Sequence, residues 1–275
     1  MDHYAVIGNP IGHSKSPQIH AAFARQTGQH LEYGRILGRL DDFAGDVRRF
    51  VGEGGRGLNV TVPFKEQAWE LLADRSPRAE KAGAVNTIIV EDGGLLRGDN
   101  TDGPGLVRDL SRNHGFDFAG KRVLLLGAGG AARGVLLPLI DAGPAELVIA
   151  NRTAARALEL AAGAQGPVRG CGLDVLIGLC AAGQGAFDLI INATSSGLDD
   201  QVPAVPPACI ADGGWVYDML YGDAPTPFCR WGRAQGAVRV LDGLGMLVEQ
   251  AAESFLLWRG VRPDTAPVIA MLRGH

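Results

Sequence analysis

The sequence predicts an α/β fold in two domains, the first built on a mixed sheet and the second on a doubly wound parallel sheet. Segments with the pattern of a buried strand alternate along the chain with helical segments, which is typical of α/β proteins. Residues 123–134 place a glycine-rich turn between such a strand and a helix. Residues 84–90 and 95–100 flank the turn sequence EDGG, a hairpin signature that breaks the alternation and predicts an antiparallel pair in the first domain. The length of 275 residues is sufficient for two domains.

The composition argues against several classes of protein. A net charge of −4 disfavours a nucleic-acid binder, which needs a basic face. No apolar stretch reaches the length that spans a membrane, and residues 1–4 lack the basic region of a signal peptide. The cysteines form no Cys-x-x-Cys motif, so we predict reduced thiols in a cytoplasmic protein, with neither a metal nor a disulfide. These cysteines are Cys171, Cys180, Cys209 and Cys229.

Two serines follow the first predicted strand, residues 4–8. Ser16 precedes a proline, so it is predicted to cap a helix over residues 18–26. Ser14 and Ser16 lie beyond the carboxyl end of the strand, where open α/β sheets bind ligands. Their hydroxyls can donate to a carboxylate; for Ser16, helix capping alone is the alternative.

Three further polar residues stand at the ends of predicted strands in the first domain. Lys65 follows a short strand that Pro63 ends, and it lies in the first turn of the next helix, where it opposes the helix dipole. Function explains such a placement, although a solvated lysine is the alternative. Asn86 begins one hairpin strand, and Asp102 follows the other in a polar loop that also suits a turn.

The glycine-rich turn has the pattern of a dinucleotide site. Residues 123–126 are a buried strand, and a helix extends to about residue 142. Gly127 permits the tight turn, Gly129 lets the backbone approach a pyrophosphate, and Ala132 allows close packing of helix and strand. The helix N-terminus favours negative charge. Ordinary turns also use glycines, but the strand before and the helix after favour a dinucleotide.

The end of the next strand, residues 146–150, indicates which dinucleotide is bound. An NAD site places a carboxylate about 20 positions beyond the glycines, on the ribose hydroxyl. This region offers Arg152 and Arg156 instead, and guanidinium groups bind phosphate bidentately. We therefore predict NADP; the alternative is that both arginines are solvated. Thr153 is predicted to cap the helix over residues 154–161.

The remaining elements complete the second domain. Residues 187–194, 215–221 and 237–241 are predicted strands, and residues 244–258 form a helix that Gly260 ends. Gln250 lies among apolar residues of that helix. A buried amide needs partners, so Gln250 either bonds the backbone or faces a polar ligand.

Taken together, these motifs resemble the shikimate dehydrogenase family over essentially the whole chain, in the same order and spacing. The matching segments are SKSP at 14–17, NVTVPFK at 59–65, GAVNT at 83–87, GDNTDG at 98–103, GAGGAARG at 127–134, NRT at 151–153, NATSSG at 192–197, DMLY at 218–221 and GLGMLVEQA at 243–251. The resemblance implies a substrate domain over residues 1–103, completed by C-terminal helices over 244–275, and a Rossmann-like NADP-binding domain over 104–243. It also implies reversible NADP-dependent oxidation of shikimate to 3-dehydroshikimate in aromatic amino acid and chorismate biosynthesis.

The resemblance also implies roles for individual residues. Lys65 and Asp102 are the catalytic pair. The shikimate carboxylate and hydroxyls are held by Ser14, Ser16, Thr61, Lys65, Asn86, Asp102, Tyr221 and Gln250. Together with the motifs above, the resemblance predicts that NADP contacts Gly127, Ala128, Gly129, Gly130, Ala131, Asn151, Arg152, Thr153, Arg156, Thr194, Met219 and Gly243.

The expected partner is a small-molecule substrate, without nucleic acid or membrane, in a monomer or homodimer. Two alternatives remain open. One is a quinate/shikimate dehydrogenase with relaxed choice of substrate or cofactor. The other is a non-catalytic sensor of shikimate or a nucleotide, which has no need of both Lys65 and Asp102. The sequence also leaves open whether Lys65 transfers a proton or stabilises charge.

Overall fold

The computed structural model describes residues 1–182 and 185–274, which divide into two compact units. The first unit comprises residues 1–106 and 247–274, and the second comprises residues 107–246. The sequence places the boundaries three residues earlier, after residues 103 and 243. Each unit has its own sheet.

The first unit contains a mixed sheet of six strands, as predicted. Its strands are β1 (Asp2–Gly8), β2 (Leu31–Leu37), β3 (Gly55–Val60), β4 (Asp74–Arg75), β5 (Thr87–Val90) and β6 (Leu96–Asp99), in the order β2-β1-β3-β5-β6-β4. β1 pairs in parallel with β2 and β3, whereas β5 is antiparallel to β3 and β6. The antiparallel pair is the predicted hairpin.

Helices follow most of these strands. They are α1 (Ser16–Thr27), α2 (Phe43–Gly52), α3 (Lys65–Leu71), α4 (Pro77–Ala82) and α5 (Asp102–Arg108), after which a π-helical turn covers Asp109–Asn113. α1 ends at Gly28, which adopts the left-handed conformation of a C-cap, as its position after the helical segment predicts.

The second unit contains a parallel sheet of six strands. They are β7 (Arg122–Leu126), β8 (Glu146–Asn151), β9 (Val168–Gly172), β10 (Phe187–Asn192), β11 (Ile210–Asp218) and β12 (Arg239–Leu241). The spatial order β12-β11-β10-β7-β8-β9 is that of a Rossmann-like doubly wound sheet, so the predicted fold class is confirmed. Its helices are α6 (Gly130–Asp141), α7 (Ala154–Ala162), α8 (Leu173–Ala181) and α9 (Pro227–Ala234).

The last two helices are α10 (Leu244–Arg259) and α11 (Ala266–Arg273). On β1, Ala5 and Ile7 belong to an apolar cluster with residues of α2 and α3, whereas the Tyr4 ring lies 4.8 Å from the ring of Trp258 on α10. Because successive side chains of a strand point to opposite faces, α10 covers the face of this sheet opposite to α2 and α3. This placement brings Gln250 and Ser254 of α10 close to Asn86 and Asn59 of the sheet region.

One predicted helix cap is wrong, and a second is correct in position but forms no capping bond. α1 begins at Ser16 rather than after it, because Lys15 already has helical backbone angles, and no side chain caps the helix. The backbone amide of Ser16 instead donates to Ser14 Oγ at 3.3 Å. Thr153 occupies the N-cap position of α7, but its side chain forms no capping bond. The carbonyl of Thr153 is bonded instead by the Asn151 amide at 3.0 Å.

The prediction of four free thiols is also wrong. Cys180, at the end of α8, forms a disulfide with Cys209, which lies in a short 3₁₀ turn before β11, and their Cα atoms are 5.2 Å apart. The pair is separated by 29 residues and packs in the core of the second unit, so folding rather than a local motif brings the two together. Cys171 and Cys229 are free, and burial raises the pKa of both thiols.

Two further features are absent from the residues that the structure describes. No group of three or more His, Cys, Asp or Glu side chains there is arranged to hold a metal ion. No helix in the same part of the chain is both long and apolar enough to cross a membrane.

A buried histidine makes the first unit sensitive to acid. His20 is fully buried, and its ring stacks on that of Tyr33 at 4.2 Å. Neither ring nitrogen has a hydrogen-bond partner among the described residues. Burial lowers the pKa of His20 to about 3, and the neighbouring Asn59 side chain opposes this shift only in part.

We therefore expect the stability of this unit to fall as the pH falls. Below the usual histidine pKa of about 6.5, the unfolded chain binds a proton that the folded chain excludes. Between about pH 7 and about pH 5, His20 alone lowers the free energy of unfolding by about 2 kcal/mol. Urea unfolding of wild type and His20→Phe at both pH values measures this contribution. Between the two pH values, the free energy of unfolding of the variant should fall by about 2 kcal/mol less than that of wild type. The same pH dependence in both proteins would contradict the role of His20.

Candidate active site

The predicted catalytic pair is formed in the first unit. Lys65 Nζ donates to Asp102 Oδ2 at 2.6 Å. Lys65 is the first residue of α3 and Asp102 the first of α5, and both follow strands whose carboxyl ends lie at the same edge of the sheet. The Lys65 side chain is 27% exposed and that of Asp102 is 11% exposed. The pair is therefore sheltered from bulk water but open to a ligand.

Asn86 joins this pair at the same edge. The backbone N–H of Thr101 donates to Asn86 Oδ1 at 2.8 Å. Because a backbone N–H can only donate, this bond identifies the oxygen of the amide and fixes its orientation. Asn86 Nδ2 consequently faces Asp102, and it donates to Oδ1 of that carboxylate at 2.8 Å. Both oxygens of Asp102 are thus bonded.

Gln250 of α10 reaches the same group. Its Oε1 accepts from Asn86 Nδ2 at 3.4 Å and lies 3.3 Å from the Thr101 hydroxyl. Its Nε2 donates to the Leu247 carbonyl at 2.9 Å. Gln250 therefore bonds the backbone, which is one of the two possibilities that the sequence leaves open; that it also faces a polar ligand stays a prediction.

Ser14, Ser16 and Thr61 lie at the carboxyl ends of β1 and β3. The Ser14 hydroxyl accepts from the Ser16 backbone amide, so its own proton is still available to donate. Thr61 is half-buried, and its amide donates to the Ile7 carbonyl at 2.9 Å. Among the described residues, none of the three bonds directly to Lys65 or Asp102. The structure therefore places them at the predicted edge without a direct bond to the pair.

The predicted dinucleotide turn lies at the switch point of the second sheet. β8 and β9 extend to one side of β7, and β10 to β12 extend to the other. The turn over residues 127–131 follows β7 and Thr194 follows β10, and these are the two strands between which the order reverses. Doubly wound sheets bind ligands in the crevice at this point.

The backbone of the turn has the geometry that its sequence predicts. Gly127 has φ +108°, and an added Cβ would lie 3.1 Å from the Ala193 carbonyl oxygen and 3.3 Å from Thr194 Cγ2. Gly129 is the N-cap of α6, and a Cβ there would meet nothing within 4 Å. Gly130 and Ala131 follow in the first turn of this helix, whereas Ala128 is buried. The open space beside the helix N-terminus suits a phosphate group.

The predicted 2′-phosphate residues follow β8. Arg152 and Arg156 are exposed, and neither contacts a carboxylate among the residues that the structure describes. Asn151 ends β8 and bonds the Thr153 carbonyl, which holds this short loop together. Both guanidinium groups are thus available to an anion.

Met219 and Gly243, two of the residues predicted to contact NADP, lie close together. Gly243 donates its amide to the Leu220 carbonyl at 2.9 Å, and its Cα is so close to the Met219 backbone that no larger residue fits. The Thr194 hydroxyl donates to Asn192 Oδ1 at 2.7 Å. Tyr221 lies two residues beyond Met219 in the second unit, and burial raises the pKa of its hydroxyl. Its contact with the substrate stays a prediction.

Sequence reasoning missed the residues that support these groups. In the second unit, the buried Asp218 accepts from the Asn192 amide and the Thr226 hydroxyl, and burial raises the pKa of this carboxyl. β10 ends at Asn192, two residues before its predicted end, and β11 ends at Asp218, three residues before its predicted end. In the first unit, Thr101 and Ser254 are fully buried beside Asn86. For Ser254 a signal was present, because it lies four residues after Gln250 and therefore on the same helix face.

Gly127 offers a direct test of the turn. We expect Gly127→Ala to lower NADP affinity about tenfold, since an added Cβ pushes against Ala193 and Thr194. Positive φ costs a non-glycine residue about 1–3 kcal/mol in any surroundings. Gly143→Ala is the matched control, because Gly143 has φ +80° with nothing nearby. Fluorescence titration with NADPH and thermal unfolding of both variants separate the two effects; equal NADPH affinities for the two would contradict the prediction.

A Lys–Asp pair in one unit and a phosphate-binding turn on a parallel sheet in the other are typical of a dinucleotide-dependent dehydrogenase. Family models agree. The shikimate dehydrogenase substrate binding domain matches residues 6–88, the shikimate / quinate 5-dehydrogenase model matches residues 109–198, and the shikimate 5′-dehydrogenase C-terminal domain matches residues 243–273. The chain belongs to the shikimate dehydrogenase family.

Individual relatives cover the whole chain. A shikimate dehydrogenase (NADP(+)) of Alkalilimnicola ehrlichii is 59% identical, over 99% of this chain and 98% of the relative. The crystal structure of an Ael1 enzyme from Pseudomonas putida superposes with a TM-score of 0.93 at 49% identity, covering 99% of this chain and 98% of the other. Shikimate 5-dehydrogenase from Thermus thermophilus, in complex with NADP(H) and shikimate, has a TM-score of 0.86 at 35% identity, covering 100% and 99%.

Proposed function

We propose that this chain catalyses the reversible oxidation of shikimate to 3-dehydroshikimate with NADP. The observation that carries the proposal is the Lys65–Asp102 pair, formed at 2.6 Å at a ligand-accessible sheet edge. The family membership and the names of the close relatives support the same reaction.

The residues of the first unit are suited to the proton in this reaction. Oxidation of a secondary alcohol removes a hydride from carbon and a proton from the hydroxyl. NADP, when bound, accepts the hydride. Lys65 either takes the proton or, as a cation, stabilises the negative charge that develops on oxygen. Asp102, held by Asn86, fixes the position of Lys65 Nζ in both roles.

The polar groups around the pair suit a polyhydroxy acid. We infer that Ser14 and Ser16 donate to the substrate carboxylate, and that Thr61, Asn86 and Gln250 bond its hydroxyls. We assign Tyr221 to the same substrate. A site built to bond hydroxyls rejects analogues that lack them, because its own polar groups are then left unpaired.

The second unit fits NADP by its own geometry. The positive φ of Gly127 and the open space at Gly129 suit a pyrophosphate at the start of α6. Arg152 and Arg156 carry no carboxylate partner among the described residues and supply positive charge for a 2′-phosphate. We infer that Met219 and Gly243 line the nicotinamide and that Thr194 also contacts the cofactor. A cytoplasmic location and a monomeric or homodimeric state stay predictions.

The decisive experiment measures reduction of NADP and of NAD by the purified protein, each with shikimate and with quinate. We expect turnover with NADP and shikimate alone. Comparable turnover with quinate or NAD would favour the broader dehydrogenase. The name of one matching family model includes both shikimate and quinate, which is consistent with that alternative. Shikimate binding without any turnover would favour a sensor.

A further inference from the structure

Four buried polar residues adjoin Asn86 in the first unit: Asn59 of β3, Thr87 of β5, Thr101 before α5 and Ser254 of α10. We call them the Ser254 cluster. Ser254 Oγ lies 2.8 Å from the Thr87 hydroxyl, 3.2 Å from the Thr101 hydroxyl and 3.0 Å from the Asn59 amide nitrogen. Thr87 also contacts every other member, but Ser254 is the one that α10 contributes. Ser254 therefore links the helix to the polar groups of the sheet.

The hydroxyl of Ser254 can form only a limited set of hydrogen bonds with its neighbours. A serine hydroxyl has one proton and two acceptor sites. The Gln250 carbonyl, at 3.1 Å, can only accept, so Ser254 donates its proton there. The Asn59 amide occupies one acceptor site. One site remains, and a single threonine hydroxyl, from Thr87 or from Thr101, donates to it.

The other threonine then donates to Asn86. Asn86 Oδ1 lies 2.9 Å from the Thr87 hydroxyl and 3.1 Å from the Thr101 hydroxyl. It has two acceptor sites, one of which the Thr101 backbone N–H occupies. The second site takes the threonine proton that Ser254 leaves free; Gln250 Oε1, at 3.3 Å, is a competing but more distant acceptor for Thr101. Both acceptor sites of Ser254 and both of Asn86 Oδ1 are then filled, and the amide of Asn86 is held with its Nδ2 toward Asp102.

Asn59 connects this cluster to Tyr33 of β2, the strand at the side of the sheet. Its Oδ1 accepts from the Tyr33 hydroxyl at 2.6 Å, which occupies the amide oxygen and leaves Nδ2 to bond Ser254. Burial raises the pKa of the Tyr33 hydroxyl, and the neighbouring Ser16 hydroxyl opposes that rise. Tyr33 therefore stays protonated and keeps donating.

We propose that Ser254 is a positioning residue for the Lys65–Asp102 pair, acting through the threonine hydroxyls that fix the Asn86 amide. This inference rests on the proposed function. No bond joins Ser254 to Lys65 or Asp102 among the described residues, and the threonine hydroxyls connect Ser254 to the pair through Asn86. Loss of the Ser254 hydroxyl frees the threonine protons to reorient, so that Asn86 Oδ1 keeps the bond from the Thr101 backbone N–H but loses its fixed second donor, and the amide holds Asp102 less firmly.

A double-mutant cycle tests this inference. Wild type, Ser254→Ala, Asn86→Ala and the double variant are compared for kcat and for KM with shikimate and NADP. We expect Ser254→Ala to lower kcat about tenfold with an unchanged KM for NADP, and to cause no further loss in the Asn86→Ala background, since residues that act in one network are not additive. Ser254→Cys nearly keeps the volume with a weaker hydrogen-bonding group and is expected to fall between Ser254→Ala and wild type.

The matched control is Thr265→Val. The Thr265 hydroxyl is buried and also bonds a side chain of α10, Glu249 at 2.6 Å, but it lies outside the cluster. Thermal unfolding reports the stability that each variant loses, and Thr265→Val should keep the wild-type kcat. Losses that multiply in the double variant, or an unchanged kcat in both Ser254 variants, would overturn the inference alone. An inactive wild type would overturn the proposed function, and the inference with it.

Discussion

Replacement of Lys65 by alanine is expected to lower turnover with shikimate by at least about a hundredfold. Lys65 Nζ either takes the hydroxyl proton as an amine or stabilises the developing charge as an ammonium, and alanine does neither. Asp102 holds it at 2.6 Å from the carboxylate, so Nζ is already in place before the substrate binds. The measurement is steady-state reduction of NADP by the purified variant.

Two controls separate chemistry from folding in this experiment. NADP affinity should be unchanged, because the predicted cofactor residues lie in the second unit. Lys81→Ala removes an exposed lysine from the last turn of α4 in the same unit and should keep the wild-type rate. Near-normal turnover in Lys65→Ala would remove Lys65 from the chemistry.

Replacement of Arg152 by alanine is expected to change the choice of cofactor. A charge-assisted bond from guanidinium to phosphate contributes about 1.5–3 kcal/mol, which corresponds to a rise of about 10- to 100-fold in the KM for NADP. The KM for NAD should hardly change, because NAD lacks the 2′-phosphate. Steady-state kinetics with both cofactors at saturating shikimate measure the ratio.

Arg169→Ala is the matched control for charge. Arg169 lies in β9 of the same sheet and pairs with Glu146 at 3.1 Å, at the opposite end of β8 from Asn151. Its removal should leave both KM values unchanged. If Arg152→Ala raised the KM for NADP and for NAD equally, the 2′-phosphate role of Arg152 would be refuted.

The sequence predicted those parts of the fold that local chemistry specifies. The turn at Gly127 needs positive φ, and the hairpin between β5 and β6 needs its glycines, so both were visible in the residues themselves. β9 was missed because VRGCG has two glycines and little apolar pattern. The disulfide was missed because Cys180 and Cys209 meet only when α8 and the turn before β11 pack together.

The residues of the candidate site also fall into two groups, those whose proximity the sequence predicts and those that only tertiary packing brings together. Lys65, Asp102 and Asn86 each follow or precede a strand at one edge of the sheet, so their proximity follows from the order of elements and from the family resemblance. Ser254 is different, since its partners come from β3, β5 and the segment before α5, and only the packing of α10 brings them together. Single-sequence reasoning has no access to such tertiary bonds.

The most direct test of the proposed reaction follows the hydride itself. Shikimate carrying deuterium on the carbon of its 3-hydroxyl is oxidised by the purified protein with NADP, and the NADPH formed is analysed by mass spectrometry. The proposed function predicts that the deuterium is recovered in NADPH, with 3-dehydroshikimate as the other product. NADPH without the label, or no NADPH at all, would contradict it.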